Sequence, residues 1–65
     1  MYTVSILQDG SLARREFRDV LACVDFVWVV LGAELCPCAV HVECSNGPGL
    51  CMHLNGAFVS IARLH

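Results

Sequence analysis

The sequence predicts an α+β domain of β-α-β-β-β order, with one helix packed on one face of a four-stranded, mostly antiparallel sheet. Three observations predict it. Residues 2–8 alternate between two faces as a strand does. Residues 12–31 place apolar side chains at helical spacing. Asn55-Gly56 stands between two short alternating runs, the clearest local hairpin signal in the chain. No linker, repeat or low-complexity segment interrupts residues 1–65, so the chain reads as a single small domain.

In the first strand Tyr2, Val4 and Ile6 share one face, with Thr3, Ser5 and Leu7 on the other. Asp9-Gly10-Ser11 reads as a turn that ends in a helix N-cap, Ser11. The helix then covers residues 12–31, burying Phe17, Val20, Leu21, Val24, Val27, Trp28 and Leu31, and Gly32 stops it. The β-branched stretch 24–30 is compatible with a strand, but the 3/4 spacing continues without a phase break from Phe17 to Leu31. Pro37 is expected to block further helix. Residues 39–44 alternate and read as the second strand, 50–54 as the third and 57–64 as the fourth.

The register is internally consistent. The Asn55-Gly56 turn pairs Leu54 with Ala57, Met52 with Val59 and Leu50 with Ile61. A five-residue loop at 45–49 would pair Cys44 with Leu50, Val42 with Met52 and Val40 with Leu54. Both pairings put the same apolar set on one face, to be covered by the helix. Trp28 and Leu21 are expected to pack there, on Val42, Met52 and Val59. The other face stays open.

Composition narrows function. Of 65 residues, 57 % are hydrophobic and 15 % charged, with net charge −2 and four basic residues. So few cations exclude the basic stripe of a direct nucleic-acid binder. The apolar run from Val20 falls short of a membrane span and contains Asp25. Met1-Tyr2-Thr3-Val4 shows neither basic segment nor apolar run, so no signal peptide is expected, and the five cysteines are expected as thiols in the cytoplasm. A single core of this size is thin, so a metal or an oligomer is the expected support.

Two candidate sites emerge. On the open sheet face the register sets His41 opposite His53 and Glu43 opposite Cys51, with Phe58 and Ser60 on the next strand. Cys36 and Cys38 lie just before. Imidazole, thiolate and carboxylate together suit zinc, giving His41, Cys51, His53, Cys36 and Cys38 as metal ligands. The spacing matches no zinc-finger or zinc-ribbon pattern, and the plainer alternative is a wet polar face with Cys44 filling core. Cys51 beside His53 also has the pairing of an activated nucleophile, without an implied cleft, so no catalytic residue is assigned. The second site is the outer side of the helix, where Ala22, Phe26, Val29 and Val30 break the rule that a solvent face is polar. Either the connector at 33–38 folds back over Phe26, or this is an association surface.

The order of elements, with its Ser45-Asn46-Gly47 and Asn55-Gly56 turns, resembles small phage-encoded anti-CRISPR inhibitors. That resemblance implies a stoichiometric protein from a phage or mobile element that blocks a defence complex by surface contact. The expected function is therefore non-enzymatic protein–protein binding by a cytoplasmic homodimer or by a protein engaged with a larger complex. The alternatives are a small zinc-binding protein and a small subunit of a larger assembly.

Overall fold

The structure, a computed structural model, describes residues 1–64. Its elements are β1 (Tyr2–Gln8), β2 (Ser11–Phe17), α1 (Val20–Leu31), α2 (Pro37–Asn46), β3 (Leu50–Leu54) and β4 (Ala57–Arg63). The α+β class and the four-stranded sheet agree with the sequence reading. The order does not: it is ββααββ, with two helices, and the sheet runs β2-β1-β4-β3 with every neighbouring pair antiparallel.

The first correction lies at residues 11–17, which form a strand and not the start of a helix. Asp9 and Gly10 both adopt positive φ, 51° and 78°. Two consecutive left-handed residues make the tight hairpin turn whose twist matches antiparallel strands. Gln8 then pairs with Ser11, and the ladder continues to Tyr2 and Phe17. Leu12, Ala13, Arg14, Arg15 and Glu16 favour helix intrinsically, but they are exposed, and pairing with β1 decides their state. Ser11 is therefore no N-cap. Asp19 is: its carboxylate accepts a hydrogen bond from the Ala22 N–H at 2.8 Å.

α1 is accordingly 12 residues long. Gly32 ends it as expected, at φ 67°, its N–H donating to the Trp28 carbonyl at 2.8 Å. Asn55, from the β3–β4 turn, donates its side-chain N–H to the Leu31 carbonyl at 2.9 Å. One residue thus shapes a hairpin and satisfies a helix end.

The second correction concerns residues 39–44, which belong to α2. Pro37 opens that helix instead of blocking it, because the first helical position needs no N–H donor. Val40 and Cys44 are buried four residues apart, as one helix face requires. The alternation of Val40, Val42 and Cys44 suits a strand equally well, but Val42 is 50 % exposed. The expected second strand and its pairing with β3 are therefore absent. Gly47, Pro48 and Gly49 link α2 to β3. Gly49, at φ 130°, lies so close to β4 that a Cβ would strike the Ile61 carbonyl oxygen.

The β3–β4 hairpin forms in the expected register, with Leu54 opposite Ala57, Met52 opposite Val59 and Leu50 opposite Ile61. Both helices lie on one side of the sheet. Val4, Ile6, Val59 and Ile61 rise from the sheet to meet Cys23 and Val27 of α1 and Val40 and Cys44 of α2. The Cys44 thiol donates to the Ile61 carbonyl at 3.7 Å, holding α2 on β4.

The third correction is the phase of α1. Leu21 is 66 % exposed and Trp28 49 % exposed, so neither packs on the sheet. Val27 is buried as expected, Val20, Val24 and Leu31 are partly buried against the core, and Cys23 completes the packed face. A helix that is apolar all round gives spacing no power to choose a face. Phe17, the first residue of the expected face, is not in the helix at all.

Candidate functional site

The expected metal cluster does not assemble. Cys51 and His53 do face the open side of the sheet, beside Ser60 and Phe58. The Cys51 thiol donates to Ser60 Oγ at 3.7 Å, and the His53 ring meets the Phe58 ring edge-on at 5.0 Å. His41 and Glu43, however, are exposed on α2, on the other side of the sheet. Cys36 and Cys38 lie at the start of α2. Among the described residues no three His, Cys, Asp or Glu side chains come together as a metal site.

The five cysteines divide by environment. Burial pushes the Cys23 thiol up to about 11, reinforced by the nearby Cys44 and Asp19. Cys44 is raised for the same reason, burial, with Glu43 adding to it. Both act as small apolar fillers, as expected for Cys44. Exposed Cys36 is lowered instead, by the amides of Ala39 and Cys38 at the N-terminus of α2.

The expected interface residues separate as well. Phe26 turns inward, its ring 5.3 Å from that of Phe17 at a 46° tilt, and Ala22 is half-buried beside it. Phe17 of β2, not the connector at 33–38, covers Phe26. Val29 and Val30 do reach solvent, at 79 % and 39 % exposure. Val30, seven residues after Cys23, lies on the side of α1 that carries Cys23. Val29 lies on its outer side with Leu21, Asp25 and Trp28, which together span about 100° of the helix circumference.

A cleft of about 290 Å³ opens on that outer side, lined by Val24, Asp25 and Trp28 of α1 and by Glu34 and Leu35 of the connector. Its floor is apolar, since Leu35 is buried and Val24 packs against the core. Two carboxylates and one indole form its walls. No lysine or arginine occurs between Asp19 and Ala62, whereas Asp19, Asp25, Glu34 and Glu43 all fall there. The arginines are on or just after β2 (Arg14, Arg15, Arg18) and at the end of β4 (Arg63). The charged side chains of the helical layer are thus all acidic apart from His41, and three of the four arginines lie on the edge strand β2 or just after it.

Sequence reasoning missed this cleft because Trp28 was assigned to the core. A usable signal existed. Leu21, Asp25 and Trp28 are spaced i, i+4 and i+7, so they share a face, and an unpaired carboxylate marks that face as the wet one.

No protein-family model, no curated protein and no solved structure matches the chain. Among the described residues, no helix is long and apolar enough to cross a membrane.

Proposed function

We propose that this chain works by binding another protein through the outer side of α1, and not by catalysis. One observation carries the reading. Leu21, Trp28 and Val29 are 66 %, 49 % and 79 % exposed on a single helix face. Large apolar residues grouped on a surface mark association sites, and tryptophan is enriched among the residues that dominate binding energy.

The charge of the helical layer indicates the kind of partner. Pairing two copies of this face about a two-fold axis would bring Asp25 and Glu34 of each copy towards those of the other. Like charges brought together in a desolvated interface are costly. A basic partner surface meets the same groups favourably. A foreign basic partner is therefore favoured over the homodimer that the apolar helix first led us to expect. An inhibitor of a larger complex, as the anti-CRISPR resemblance implies, is one case of this reading. It rests on the exposed acidic and apolar face, since the element order that carried the resemblance is not the observed one.

Selection from a random peptide library on immobilised protein tests the proposal. Binders should be rich in arginine or lysine flanked by apolar residues, and Val29→Asp should abolish their capture. Light scattering on the same protein should give the monomer mass. Peptides indifferent to Val29→Asp, or a dimer that Val29→Asp dissociates, would overturn the reading.

A further inference from the structure

The cleft beside Trp28 has a more specific use than the helix face around it. We infer that it receives one arginine side chain from the partner, the guanidinium lying against the Trp28 indole and between the carboxylates of Asp25 and Glu34. The inference rests on the reading of this face as a protein-binding surface and names the group that surface would recognise.

Three features converge on a cationic side chain. The first is size. At about 290 Å³ the cleft is at the lower limit for a small-molecule site and suits a single side chain entering from outside. The second is the wall. Trp28 is half-exposed and lines the cleft, and an indole face attracts a cation more strongly than any other side-chain ring. The third is charge. Asp25 and Glu34 approach from two different elements, α1 and the connector, and no lysine or arginine lies in either element or anywhere from Asp19 to Ala62.

Arginine fits better than lysine for two reasons. Its planar group stacks on an aromatic ring while its edge donors still reach oxygen acceptors. Its aliphatic stem can also lie along the apolar floor of Val24 and Leu35, whereas the ammonium of lysine is a compact, strongly hydrated point charge. Leu21 and Val29 then form the apolar surround that excludes water from the central contact.

Trp28 is the one tryptophan of the chain, so its fluorescence reports on the cleft alone. The experiment titrates the intact protein at low salt with N-acetyl-arginine amide. The control is N-acetyl-citrulline amide, which has the same shape without the charge. The expected result is a saturable change in emission with the arginine compound, little change with citrulline, and weakening as salt is raised. Asp25→Asn and Glu34→Gln should each weaken binding about two- to fivefold, the range of a solvent-exposed ion pair. Both side chains are exposed, so both variants should keep the wild-type circular dichroism. Equal responses to arginine and citrulline, or affinity indifferent to both substitutions, would overturn the inference. That failure is distinct from failure of the binding face itself, which is read from Val29→Asp in the peptide selection.

Discussion

The two hairpins of this sheet turn through the same kind of loop and are held in place by different forces. Asp9-Gly10 and Asn55-Gly56 each present an Asx residue and a glycine at positive φ, with Gly10 at 78° and Gly56 at 79°. Beyond the turn the resemblance ends. β4 lies inside the sheet between β1 and β3, and Ala57, Val59 and Ile61 are buried beneath the helices. β2 is an edge strand whose residues are exposed from Ser11 to Glu16, with only Phe17 half-buried at its end. Packing fixes the second hairpin. The first is fixed by its turn, its backbone ladder to β1 and the Phe17–Phe26 contact. The difference shows how far a turn and a backbone ladder, with one aromatic contact, can direct a chain whose side chains favour another state.

The largest effect should come from side chains that only one hairpin buries. Ile61→Ala empties a fully buried site on β4 and should cost about 2–5 kcal/mol, close to the whole stability expected of so small a domain. Leu12→Ala on β2, where the side chain is 61 % exposed, should change stability by less than about 0.5 kcal/mol. Thermal or urea melts of both variants check the contrast. Similar losses would mean that β2 contributes to the core after all.

Next in size is Gly49→Ala. This substitution adds both a strained φ and a collision with the Ile61 carbonyl, and backbone in the β3–β4 ladder must move to relieve it. A loss of about 2 kcal/mol or more is expected by denaturant titration, given what strained conformers cost before any collision. A neutral result would show that the start of β3 can shift away from β4 without loss, which would weaken the view that packing holds this hairpin.

The same contrast explains what the sequence made legible. β1 and the β3–β4 hairpin could be read because burial imposes a period of two on them and an Asn-Gly turn joins two such runs. β2 could not, because an exposed edge strand has no burial pattern. Asp9-Gly10 carries the same turn signal, but with Ser11 it also reads as the turn before a helix, and Leu12 to Glu16 are helix-forming residues that do nothing to oppose that reading. In α2, buried Val40 and Cys44 satisfy both a two-residue and a four-residue repeat, so pattern alone was ambiguous. Of the two expected sites, the zinc cluster relied on a strand that is a helix. The helix face was located on the right element but with the wrong phase. Asp25 held the information needed to correct that phase, and it was used only to argue against a membrane span.

A loss smaller than that at Gly49 is the most discriminating, because the same atoms change in both hairpins. Gly10→Ala and Gly56→Ala each place a Cβ on a left-handed residue, and in both cases nothing lies within 4 Å of it. The cost is therefore backbone strain alone, about 1 kcal/mol for each. Its consequences should differ. In the β1–β2 hairpin the strain opposes a strand with little buried surface, so β2 should open locally. Its amide protons should exchange faster while those of β4 stay protected. In the β3–β4 hairpin, Ala57, Val59 and Ile61 keep the register locked. There the lost free energy should appear as a uniform decrease in protection across the sheet. Residue-resolved hydrogen exchange separates the two patterns. A uniform decrease for Gly10→Ala would show that β2 unfolds only with the whole domain, and that its ladder and the Phe17–Phe26 contact tie it to the core more tightly than its exposure implies.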